Sequence, residues 1–204
     1  MKLNNFIIFI SFFLFISCEK NENKKSKVEI YLTNKRIESY EGVKTKNLND
    51  TLKYKELLDR FSQFSIKIDT VHNDIIFAGA FDIKNMDLED HPLISDDEIL
   101  KFNFDTSKIV MKKSAINKIT NLNWKMGNSF GRQFVLCIDK KPVICGYFYN
   151  SSSSFLSNTY QIFIDDYKLI NSEVEYKIYF GKDLKTPNLK NSNEFYKLIS
   201  ERNL

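Results

Sequence analysis

From Val28 onward the chain alternates strand-like and helix-like patterns of hydrophobic and polar positions. Val28-Glu29-Ile30-Tyr31-Leu32 alternates apolar and polar residues, which predicts a first strand. Leu52, Leu57, Leu58 and Phe61 share one helical face, so a helix is expected over about 50–61, opened by Asn49 or Asp50. Phe64, Ile66 and Ile68 alternate with Ser65, Lys67 and Asp69 as a half-buried strand, and Ile75–Phe81 is an apolar run placed to pair with it. Ser95-Asp96-Asp97-Glu98 reads as a capping box ahead of Ile99-Leu100. Short strands are expected at Phe102–Phe104 and Ile109–Met111, then a helix capped by Ser114, carrying Ala115, Ile116, Ile119 and Leu122 and ending near Trp124. Phe134–Ile138 is continuously apolar, as in a strand buried on both faces. Asp139–Pro142 is a turn, Val143–Tyr149 the returning strand, and Ser151–Ser154 a loop. Tyr160, Ile162 and Ile164 alternate, as do Val174, Tyr176, Ile178 and Phe180, and Asn191 with Glu194 opens a last helix bearing Phe195, Tyr196 and Ile199. Helices interspersed with hairpins predict an α+β fold, an antiparallel sheet with helices packed on one face.

Ahead of that domain, Lys2 is followed by Phe6–Ile16, apolar except for Ser11. The stretch is shorter than the roughly 20 apolar residues that span a bilayer, and it suits the hydrophobic part of a secretory signal. It ends in Phe15-Ile16-Ser17-Cys18, which resembles the lipobox of bacterial lipoproteins, with Phe15 standing where Leu is usual. The resemblance implies removal of residues 1–17 and lipidation of Cys18, an anchor with no catalytic role. Two or three acyl chains on one residue hold a protein stably where one chain does not. Glu19–Lys27, EKNENKKSK, has no apolar residue and is expected to be a solvated tether over 18–27, leaving one α+β domain over 28–204. Charged residues directly behind the lipidated Cys also resemble the surface-export signals of Bacteroidota-type lipoproteins. The implied location is the cell envelope, at the outer membrane on its periplasmic or surface face.

Composition adds mostly exclusions. Lys+Arg 30 against Asp+Glu 26 gives +4, evenly spread, which does not point to a nucleic-acid partner. Two His and three Cys leave little for a zinc cluster or a His-based catalytic apparatus, and no cofactor is expected. Outside the cytoplasm disulfides are permitted, and Cys137 and Cys145 lie in one expected hairpin. A two-residue turn at Lys140-Lys141 sends the two thiols to opposite faces. A three-residue turn ending at Pro142 brings them face to face for a cross-strand disulfide, so the register decides.

Several constellations could carry chemistry. Glu89-Asp90-His91 with Asp96-Asp97-Glu98 is acidic enough for a cation, yet it lacks the spacing and the turn glycine of a calcium loop. His72 falls in a separate expected loop. Gly127-Asn128-Ser129-Phe130-Gly131 fails the P-loop pattern, and Ser151–Ser154 has no nucleophile elbow around it. Asp165-Asp166 ends an expected strand and could be a carboxylate pair for acid–base work. Phe77, Phe81, Phe102 and Phe104 read as an aromatic core. The residues therefore predict no catalytic or metal site.

The segment from about Asp97 to Phe148 runs DDEI, a strand pair ending IVMKKSA, the helix INKI, then GRQFVLCIDKKPVICGYF. This order of pieces resembles the periplasmic head domain of the SecD-type protein-export subunit, with Ile99, Ala115, Ile119, Gly131, Asp139 and Pro142 in comparable places. The resemblance implies a ferredoxin-like head over about 95–165 that contacts polypeptide or an envelope partner. No transmembrane helix is read after the signal, so the translocase's proton-driven motor role is not implied. Asp50-Thr51-Leu52 and Asp69-Thr70-Val71 resemble Bacteroidota O-glycosylation sites. The resulting expectation is a lipid-anchored, non-catalytic interaction module of undefined oligomeric state. Its rivals are an inhibitor or immunity-type lipoprotein and a small envelope hydrolase built on Asp165, Asp166, His91 or the Ser151–Ser154 loop.

Overall fold

The computed structural model describes residues 25–40, 42–44, 67–69, 74–76, 79–122, 131–153, 156–191 and 193–202. In chain order the elements are β1 (Val28–Leu32), β2 (Gly42–Lys44), β3 (Lys67–Asp69), β4 (Asp74–Ile76), β5 (Ile99–Asn103), β6 (Lys108–Lys112) and α1 (Ser114–Thr120), followed by β7 (Arg132–Ile138), β8 (Lys141–Tyr149), β9 (Tyr160–Ile170), β10 (Glu173–Phe180) and α2 (Asn193–Glu201). The seven-stranded sheet runs β1-β7-β8-β9-β10-β6-β5, and a small sheet runs β2-β4-β3. The chain is thus a mixed α/β protein with a mostly antiparallel main sheet. One pair corrects the antiparallel expectation: β8 and β9 run parallel, Gly146 opposite Tyr160 and Tyr149 opposite Phe163. Parallel neighbours ordinarily need a crossover of a dozen or more residues. Here the overlap is so short that the loop after Tyr149 has little length to retrace.

Strand alternation sorts the sheet into two buried faces. On one, Ile30, Phe134, Leu136, Ile144, Ile162, Val174 and Ile178 join Ala115 and Ile119 of α1 and Phe195 and Ile199 of α2 in a single apolar cluster. On the other, Tyr31, Val135, Cys137, Tyr147, Tyr149 and Phe163 lie against Phe81 and Leu88 from the chain between the sheets. This double burial is why Phe134–Ile138 shows no alternation in sequence: every second residue faces a different core.

Local details depart from the sequence expectations in physically readable ways. The Ser95–Glu98 box closes one 3₁₀ turn over Asp96–Glu98, after which Ile99 enters a strand. Helix α1 begins at Ser114 behind Lys113, and the Ser114 hydroxyl donates to Glu98 at 3.1 Å, so Ser114 is not the cap. The β7–β8 turn is Asp139-Lys140, with φ of +48° and +63°, a type I′ geometry that matches the twist of paired strands. Pro142, opposite Cys137, has no N–H for the ladder, and the register slips beside it. Strand β9 also continues to Ile170, beyond the end expected at Asp165-Asp166. Cys18, His72, the 50–61 helix, Trp124, Gly127–Phe130 and the Thr51 and Thr70 sequons lie outside the described residues.

Candidate functional site

Four carboxylates of the acidic constellation, Glu89, Asp96, Asp97 and Glu98, are held in ion pairs within the chain. Asp96 receives both terminal nitrogens of Arg202, at 2.5 and 3.0 Å, and the N–H of Val28 at 2.7 Å, tying the end of α2 to the start of β1. Asp97 meets Lys112 at 2.9 Å, Glu98 meets Lys118 at 2.6 Å, and Glu89 meets Arg132 at 3.1 Å. The Lys112 and Ser95 hydrogen bonds hold the Asp97 carboxyl below its usual range. Burial pushes Glu98 upward, but bonds from Lys118 and Ser95 outweigh it and hold that carboxyl down as well. Among the described residues no group of three or more His, Cys, Asp or Glu side chains converges as a metal site would.

The Asp165-Asp166 pair is split between two structural tasks. Asp165 accepts the Ser151 N–H at 2.8 Å and its hydroxyl at 2.5 Å, clamping the β8–β9 loop, while Asp166 accepts the Tyr179 hydroxyl at 2.8 Å. Burial first, and the Asp166 carboxylate second, push Tyr179 up to about 12. Neither of the two turns considered for the thiols occurs. Cys137 stands opposite Pro142 and Cys145 opposite Val135, on one face but two residues apart, and both thiols are free. Diagonal neighbours of this kind are about 7–8 Å apart, beyond disulfide reach. Burial pushes the thiols up to about 12 at Cys137 and about 11 at Cys145, so neither supplies a thiolate near neutral pH.

A second arrangement was not visible in the sequence because its members are scattered. Tyr147, in β8, places its hydroxyl 2.9 Å from the Gly79 carbonyl, 3.0 Å from Ser39 Oγ and 3.2 Å from Gln133 Nε2. Gln133 binds both backbone groups of Ile37, at 2.7 and 2.9 Å, and the Arg36 guanidinium lies 5.4 Å from the Tyr147 ring centre. Arg36 also donates to the Gly131 carbonyl at 3.0 Å. Burial lowers the Arg36 pKa and raises those of Tyr147 and Tyr149, the mark of a sealed interior. These groups hold segments 33–40 and 79–81 against the sheet, and no nucleophile–base pair forms among them.

The remaining feature is an edge. β9 leaves β8 after Phe163, and its pairing with β10 jumps from Ile178–Ile162 to Tyr176–Tyr167. Four residues, Phe163–Asp166, therefore oppose Lys177 alone. Beyond this slip, Tyr167–Ile170 pairs on one side with β10 and has no strand on the other among the described residues. Tyr167, Leu169 and Ile170 are 38%, 50% and 38% exposed. An open edge with exposed apolar side chains is a template for strand addition. No family model, curated protein or solved structure matches the chain.

Proposed function

We propose that this chain is a lipid-anchored protein of the bacterial cell envelope, held through Cys18 at the outer membrane, whose domain is a non-catalytic module that binds extended polypeptide. The observation that carries the binding half is the open β9 edge with Tyr167, Leu169 and Ile170 exposed on it. The anchoring half rests on the Phe6–Ile16 apolar run followed by Ser17-Cys18 and the charged tether. The order of pieces over Asp97–Phe148 supports a head-like module with helices laid over one sheet face, here β5, β6, α1, β7 and β8. Its two hairpins stand apart in the sheet, with β9 and β10 between them. A non-catalytic role fits Glu98 and Asp96 held in ion pairs with Lys118 and Arg202, and thiols and phenols pushed toward their neutral forms.

Two measurements test the proposal. Cys18→Ser should lose metabolic lipid label and leave the membrane fraction; a variant still membrane-bound and cut normally overturns the anchor. Crosslinking from position 167 in native membranes, read by mass spectrometry, should yield a polypeptide adduct, and no adduct at all overturns the binding edge.

A further inference from the structure

We infer that the strand completing the β9 edge is β9 of a second copy of this chain, paired antiparallel about Tyr167. The inference rests on the reading of that edge as the binding surface. Hairpin parity supplies the first part of the argument. Ile170 and Glu173 flank the two-residue turn Asn171-Ser172, with Asn171 at φ +57°. They form a hydrogen-bonded pair, Lys168–Glu175 is the next such pair, and Tyr167 and Leu169 turn their N–H and C=O groups outward. A second β9 placed antiparallel with Tyr167 opposite its own counterpart makes a hydrogen-bonded pair at the twofold axis.

Charge supplies the second part. In that register Asp166 faces Lys168 of the second copy, and Lys168 faces Asp166 of the second copy, both at non-hydrogen-bonded positions where cross-strand side chains come closest. Both charges are available for it. Lys168 has no ion pair among the described residues, because Glu175, its neighbour on β10, is held by Lys108 at 2.7 Å. Among the described residues Asp166 is engaged only by the uncharged Tyr179 hydroxyl. Backbone hydrogen-bond parity allows slides of two residues only, and a slide of two in either direction sets Asp166 against Asp166 or Lys168 against Lys168. The match is therefore specific to self-association about Tyr167.

The test is register-specific crosslinking of the full-length lipidated chain in its native membranes. Cα atoms of a hydrogen-bonded antiparallel pair lie about 5.5 Å apart, within disulfide range. Tyr167→Cys should therefore give a covalent dimer on mild oxidation. Ile170→Cys, three positions from the axis, should give at least about tenfold less, being out of disulfide reach. In the Tyr167→Cys background, Lys168→Asp should cut dimer yield about tenfold by setting like charges opposite each other, and adding Asp166→Lys should restore it. Equal crosslinking at 167 and 170, or no rescue by the swap with circular dichroism unchanged, overturns the dimer. An adduct at 167 with a different polypeptide overturns the dimer and leaves the binding edge standing, whereas no adduct of any kind removes both.

Discussion

Tyr147 and Tyr149 are neighbours on one sheet face, their ring centres 5.7 Å apart and both fully buried, yet their hydroxyls have opposite fates. The Tyr147 hydroxyl contacts Gly79, Ser39 and Gln133, whereas the Tyr149 hydroxyl is buried beside the Ser157 hydroxyl with no hydrogen bond of good geometry among the described residues. Removing one oxygen atom should therefore have opposite consequences at the two positions. Tyr147→Phe strands the Gly79 carbonyl and removes a partner of Gln133 Nε2, which keeps Ile37 as acceptor. One net hydrogen bond plus one unsatisfied acceptor puts the loss at about 2–3 kcal/mol. Tyr149→Phe removes a desolvated polar atom whose contact with Ser157 is poorly formed, so stability should stay level or rise by about 1 kcal/mol. Urea unfolding followed by far-ultraviolet circular dichroism checks both, and an unchanged m-value keeps the comparison on the folded state. Equal losses from the two substitutions would refute the assignment of the polar network to Tyr147, and a larger loss at Tyr149 would invert it.

Other substitutions probe the elements that position the edge. At Gly146, where β8 passes from its antiparallel to its parallel partner, an added Cβ would lie 2.5 Å from the Tyr160 carbonyl oxygen and 2.8 Å from the Phe134 ring; Gly146→Ala should cost about 1–3 kcal/mol, and a urea midpoint equal to wild type would contradict that packing. Glu98 has a folded-state pKa below its ordinary 4.5, so its ionisation contributes stability that is fully present above that pH and fades as pH falls through the lowered value. Glu98→Gln should therefore be less stable than wild type at neutral pH, with the gap closing as pH falls below 4.5; a gap independent of pH would show the Lys118 pair contributes nothing. The Cys137 and Cys145 thiols, raised to about 12 and about 11, should react with a thiol reagent at pH 8 far more slowly in the native protein than in urea, and fast native labelling would disprove their burial.

What could be read in the sequence was what repeats along a strand. The alternation of β10 and the unbroken apolar run of β7 are direct images of one-sided and two-sided burial. The β7–β8 turn was misplaced by one residue because Asp139-Lys140 has none of the glycine that usually marks positive φ, and Pro142 reads as part of a turn when it sits at a bulge. The polar network could not be read at all: Ser39, Gly79, Gln133 and Tyr147 are joined only by tertiary structure. Strand β9 was cut short for a different reason. Two adjacent carboxylates ordinarily end a strand, and Asp165-Asp166 does break the alternation of Tyr160, Ile162 and Ile164. Pairing resumes at Tyr167 with both carboxylates exposed within the strand, Asp165 accepting from the Ser151 loop and Asp166 from Tyr179. The four-for-one slip at these residues hides the rest of the strand from its own pattern. β8 ends at Tyr149, opposite Phe163, so among the described residues Tyr167–Ile170 has a strand neighbour on the β10 side alone.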